Sequence, residues 1–112
     1  MKKVAILFVV LLTSSFLFAQ KTYVPDDKFE QALIDLGYDT TLDDSVLTAN
    51  ISGVTVLDVS RKSISDLTGI EAFTSLIDLS CAVNQLTSLD VSNNTALEVL
   101  NLDDNQLTSL DV

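Results

Sequence analysis

Asp90 and Asp111 each close the tripeptide Ser-Leu-Asp, 21 positions apart. If the chain folds with that period, the two carboxylates share a column one turn apart, and like charges so placed repel unless something compensates. A calcium ion, bound through oxygen ligands, is one compensator. Backbone N–H groups in an Asx-turn are another. The run 35–44 is also rich in aspartate, but it lacks the twelve-residue oxygen spacing and closing glutamate of an EF-hand loop. Cys81 is the single cysteine, so no internal disulfide forms; with no His, Arg or Lys close by in sequence to favour a thiolate, it reads as a small hydrophobe. Histidine is absent, which removes the usual base for a serine or cysteine nucleophile. Paired carboxylates for glycoside hydrolysis need rigid opposition across a cleft, whereas a repeating chain sets them in a row. The expectation is therefore a protein without catalytic residues in this segment and without a cofactor.

Those side chains must be positioned by the repeat itself. The stretch NQLTSLDV occupies 84–91 and again 105–112. Around it, Leu76, Leu79, Asn84, Leu86 and Leu89 recur as Leu97, Leu100, Asn105, Leu107 and Leu110. A weaker copy lies upstream, with Leu57, Val59, Ile64 and Leu67 in the matching places and Lys62 where the asparagine would stand. A fixed period in this range signals a solenoid. Alternation around Leu79 sends Leu79 and Cys81 to one face of a short strand and Asp78, Ser80 and Ala82 to the other. Strands from successive turns then pair in parallel, about 4.8 Å apart. Asn84 turns the chain with an amide that both donates and accepts, so it can satisfy backbone groups in a tight buried bend. Stacked with Asn105, it begins an asparagine ladder. Leu86 and Leu89 return across the core, and VSNNT, 91–95, reads as a polar, irregular outer side.

The pattern L-x-x-L-x-[LC]-x-x-N-x-L resembles the leucine-rich repeat and covers 54–112, divided as 54–75, 76–96 and an incomplete 97–112. At least three repeats plus caps are normally needed for such a stack to be stable, so the chain is expected to be the amino-terminal part of a longer protein. Ahead of the repeats, 20–53 reads as a helical cap. Phe29, Ala32, Leu33 and Leu36 follow helical spacing, Asp27 and Glu30 suit a capping box beside Pro25, and Gly37 is a stop. Leu42, Val46, Leu47 and Ile51 suggest a second short turn closing the same core end.

A helical cap, then ISDLTGIEAFTSL at 64–76, then NQLTSLDVS, is similar to the internalin-like leucine-rich-repeat proteins that bacteria export to their surfaces. The resemblance implies an α/β leucine-rich-repeat solenoid, with parallel strands on the concave face and an irregular or short-helical convex side. It also implies a concave face that binds a protein or glycan. Three columns would face that partner: Val56, Asp78 and Val99; Asp58, Ser80 and Asn101; Ser60, Ala82 and Asp103.

The first 19 residues fit export. Lys2 and Lys3 precede an apolar run too short to span a bilayer, followed by a polar break and Ala19, the layout of a signal peptide. Its removal takes the formal charge from −10 to −12, a surface that repels nucleic acid and anionic lipid. The expectation is a secreted or cell-surface binding or adhesion module, with no nucleic-acid partner and no membrane insertion once the signal is gone. The alternative is a structural or calcium-stabilised scaffold that carries a downstream effector or enzyme domain.

Overall fold

A computed structural model describes residues 19–112. The expected signal peptide, 1–19, therefore lies outside the described residues except for Ala19. No helix among the described residues is long and apolar enough to cross a membrane.

The chain opens with strand β1 (Lys21–Tyr23), which pairs antiparallel with β2 (Ser45–Leu47). Between them runs helix α1 (Asp27–Asp35), and after β2 comes the short helix α2 (Thr48–Ile51). The amino-terminal end is thus a helix plus a hairpin-like pair of strands. Helix α1 starts one residue earlier than a capping box on Asp27 requires. Asp26 is the N-cap, and its carboxylate accepts from the N–H groups of Lys28 and Phe29. Asp27 is then the first helical residue, and Glu30 lies a position too far along to reach back to the cap. Its own N–H instead donates to the Asp26 carbonyl. At the far end Gly37 adopts φ +86°, and the N–H groups of Gly37 and Tyr38 donate to Ile34 and Leu33. These are the two bonds of a Schellman motif, and a residue without Cβ suits the left-handed position it needs.

The repeats build one parallel sheet in the order β3 (Val56–Asp58), β4 (Asp78–Ser80), β6 (Val99–Asn101). Its register aligns Leu57, Leu79 and Leu100, whose side chains face the core. The return segments add something that the irregular outer side did not suggest. β5 (Ser88–Asp90) and β7 (Ser109–Asp111) form a second parallel pair. In the first turn the equivalent residues, 66–68, form no strand, and a 3-10 turn, Ile70–Ala72, follows them, entered through Gly69 at φ +109°. A Cβ at Gly69 would lie 2.8 Å from Val24 Cγ2 and 2.9 Å from the Tyr23 carbonyl oxygen. Glycine there lets the amino-terminal segment lie directly against the first turn. The core is continuous across that joint: the rings of Phe29 on α1 and Phe73 of the first turn stack at 6.4 Å, among buried Leu33, Leu57, Leu76 and Leu79.

Each turn leaves its strand through the same backbone device. Arg61, Val83 and Asp104 all adopt left-handed φ, at 59°, 55° and 55°, immediately before Lys62, Asn84 and Asn105. That conformation costs an L-residue about 1–2 kcal/mol, and a branched Cβ makes valine poorly suited to it. Asparagine tolerates it. Val83→Asn is expected to raise stability by about 1 kcal/mol, read as a higher melting temperature. A lower one would mean that the packing of the half-buried valine outweighs the strain.

Candidate functional site

The outward face of the β3–β4–β6 sheet presents the three columns in register. Val56 pairs with Asp78 and Asp78 with Val99; Asp58 pairs with Ser80 and Ser80 with Asn101. The two valines are 60% and 52% exposed, large apolar surfaces for positions open to water, and they flank the half-buried Asp78. In the second column Asp58 accepts from the Ser60 N–H at 3.0 Å. The Ser60 hydroxyl and N–H, with help from the Lys62 charge, hold Asp58 below the usual carboxylate range. Ser60 and Ser80 share a hydrogen bond between hydroxyls at 2.7 Å, which fixes both rotamers. The third column is interrupted. Ala82, expected on the open face, is buried, because the chain is already bending into the Val83–Asn84 turn there. Asp103 is exposed beyond it. The available face is therefore eight side chains, three of them aspartates, with no cation among them.

The turn below this face is held by the asparagines. Asn84 is buried, and its Oδ1 accepts from the N–H groups of Lys62 (3.1 Å) and Ile64 (3.0 Å). Its Nδ2 donates to the carbonyls of Val59, Cys81 and Ala82. Asn105 repeats the scheme: Oδ1 accepts from Leu86 N–H, and Nδ2 donates to Cys81, Leu102 and Asp103 carbonyls. The Cys81 carbonyl receives a hydrogen from both, so it is the rung joining them. Since Lys62 stands in the first turn, that turn supplies only backbone to the arrangement. Cys81 itself is buried, and burial pushes its thiol up to about 11, so it stays protonated and unreactive at neutral pH.

Asp90 and Asp111 are brought together as strand partners, but on the β5–β7 pair rather than on the outward face of the β3–β4–β6 sheet. Asp90 Oδ1 accepts from the Ser92 N–H at 2.9 Å and from its hydroxyl at 2.5 Å. These bonds lower the Asp90 carboxyl below its ordinary value and compensate its charge from within the chain. The same Asp-x-Ser/Thr closure recurs at Asp43–Ser45, Asp58–Ser60 and Asp66–Thr68, a local side-chain turn that at Asp58 and Asp90 follows the end of a strand.

Three polar positions had no signal in the repeat pattern. Asn94 lies in the run read as solvated, yet it is buried and donates to the carbonyls of Ile70 (2.9 Å) and Phe73 (3.1 Å), closing the 3-10 turn. Its position occurs only once in the chain, so no recurrence marks it. Glu30 is fully buried against Asp43 and Asp44. Asp26 reaches across to the first repeat, where Oδ2 accepts from Ser65 N–H (2.9 Å) and Asp66 N–H (3.0 Å).

No family model matches the chain. It is 39% identical over 73 residues to Internalin J of Listeria monocytogenes serotype 4b, a match covering 65% of this chain and 8% of that protein. Among solved structures it is similar to the functional domain of InlJ from Listeria monocytogenes, described as including a cysteine ladder. There the TM-score is 0.71 at 37% identity, over 84% of this chain and 22% of that one. Internalin C2 of the same species shares the fold, with a TM-score of 0.67 at 24% identity, over 84% of this chain and 49% of that one. The chain thus spans from 8% to 49% of the length of these relatives.

Proposed function

We propose that this internalin-like leucine-rich-repeat chain, a homologue of Internalin J, is an exported binding module that uses the outward face of β3, β4 and β6 to hold a protein or glycan at the cell surface. The observation that carries the reading is the pair of exposed valines, Val56 and Val99, set either side of Asp78 on a sheet otherwise lined by polar groups. Apolar patches framed by polar side chains mark contact surfaces more often than solvated ones. Aspartates at Asp58, Asp78 and Asp103 with no cation among the columns favour a partner that brings basic groups. The chain offers no histidine and no reactive thiol, so its role is recognition rather than catalysis.

The purified chain, immobilised and probed by surface plasmon resonance with basic proteins and extracellular glycans, is expected to bind at least one class. Joint replacement Val56→Asp and Val99→Asp should weaken that binding about tenfold or more, corresponding to about 1.4 kcal/mol. Thr95→Asp, on the exposed outer side, should leave it unchanged. Equal loss from both variants, or no binding by the parent, counts against the reading. Export is tested separately by fusing residues 1–22 to an alkaline phosphatase that is active only outside the cytoplasm; an inactive fusion rejects the signal peptide.

A further inference from the structure

The segment between α1 and β2 sets several carboxyl groups against one from the helix. The oxygens of Glu30, Asp39 and Asp43 lie within 4.8 Å of one another, and Glu30 lies equally close to Asp27 on its own helix and to Asp44. Glu30 has backbone partners: Oε1 accepts from Asp44 N–H at 2.8 Å, and Oε2 from Asp43 N–H at 3.2 Å. Asp39 Oδ2 is different. It is buried and has no hydrogen-bond partner among the described residues, although Glu30 is beside it. Two carboxylates in that position repel, and both are acceptors only. Lys21 on β1 supplies a positive charge that acts on Asp43. The groups acting on Glu30 itself are Asp39, Asp43 and Asp44, with no cation among them, and the chain has no histidine.

We propose that Glu30 and Asp39 hold one proton between them, and that this proton pins the segment 36–44 to α1, so that the amino-terminal end of the solenoid tightens in mildly acidic surroundings and loosens when the proton leaves. A proton between the two gives Asp39 Oδ2 the bond it lacks and removes one of two adjoining like charges. It belongs to the pair rather than to either residue. The effect reaches beyond the pair because the same segment carries the Val24 N–H to Asp44 carbonyl bond at 2.9 Å and leads straight into β2. A change at Glu30 is thereby passed to the β1–β2 pairing.

The acidity of Glu30 agrees with this geometry. Burial is the largest influence, and the Asp39 hydrogen bond and charge add to it against the N–H groups of Asp43 and Asp44; together they push Glu30 from its ordinary 4.5 to about 6. The folded value lies above the unfolded one, so the folded chain binds the extra proton. The stabilisation is complete below about 4.5 and is lost as pH rises through about 6.

The full chain, labelled with carbon-13 at its carboxyl groups, tests this by NMR titration from about pH 3.5 to about pH 8. The Glu30 carbon is expected to titrate near 6 in the parent. Thermal melts supply the second readout. Acid also relieves the general repulsion among 16 acidic groups, so the slope of the parent alone decides nothing; the comparison with Asp39→Asn does. That amide donates permanently where the shared proton donates conditionally. It should raise the melting temperature at neutral pH by about 5 °C and flatten the difference between pH 5 and pH 7 (values chosen to bracket the expected step, about one unit each side). Titration of the Glu30 carbon in the ordinary carboxylate range, or equal pH slopes in parent and Asp39→Asn, overturns the proposal. So does calcium chloride at neutral pH stabilising the parent but not the variant while the NMR step is missing, since a cation would then fill the place assigned to the proton.

Discussion

Asn84→Ala is expected to cost about 3–5 kcal/mol and to leave the chain largely unfolded at room temperature. The size follows from what remains behind. Asn84 satisfies two N–H groups of the preceding turn and three carbonyls, and it is 5% exposed. Alanine leaves those groups buried without the amide, and each orphaned buried group costs about 1–3 kcal/mol. The loss also falls between turns. Lys62 and Ile64 belong to the first repeat and Cys81 to the second, so removal of the amide uncouples neighbours in a stack whose stability comes from such interfaces. Asn84→Asp should not rescue it. A carboxylate can accept from Lys62 and Ile64, but it turns acceptors towards three carbonyls. Asn105→Ala is expected to cost about half as much, because that side chain is half-buried and makes four bonds. Urea melts followed by circular dichroism rank the three variants. Equal midpoints for Asn84→Ala and the parent would show that the stack does not depend on this turn.

Most parts of the fold that recur were legible, and the parts that occur once were not. Leu57, Leu79 and Leu100 could be aligned because each sits at one offset within a repeated pattern, and parallel strands demand that register. Asn84 and Asn105 stood out for the same reason. Alternation alone misplaced Ala82, since period two holds only while the chain is a strand, and β4 ends at Ser80. The β5–β7 pair was hidden because Ser-Leu-Asp, though it recurs in both turns, is too short to display strand alternation. Burial of Glu30 was unreadable for a stronger reason: an acidic residue on a helix is almost always solvated. The feature that overrides this rule, a pair of backbone N–H groups from 43–44, is set by tertiary placement. On the candidate binding face, recurrence predicts where side chains point. What they hold depends on shape and charge that the repeat leaves free to vary.

Asp26→Ala is the second large effect expected, a loss of about 2–3 kcal/mol, and its partition is the informative part. One oxygen caps α1 through Lys28 and Phe29; the other accepts from Ser65 and Asp66 at the first repeat. A helix cap contributes about 1 kcal/mol. Hydrogen bonds to a charged group contribute about 1.5–3 kcal/mol each at full strength, reduced here because the Ser65 and Asp66 side is open to water. Two further substitutions separate the roles. Asp26→Ser keeps a capping oxygen and has nothing to send across, so α1 should retain its amide protection while Ser65 and Asp66 exchange faster. Asp26→Asn keeps Oδ1 for the cap but points an amide at two N–H donors, so it should disturb the junction more than serine does. Hydrogen exchange resolved by residue distinguishes these outcomes. If all three variants lose protection only within α1, the carboxylate is a helix cap and nothing more. If Ser65 and Asp66 lose protection in every case, the packing of the amino-terminal segment on the first repeat depends on a single side chain outside the repeats. The amino-terminal segment is then part of the first repeat's construction as well as a cover for its core.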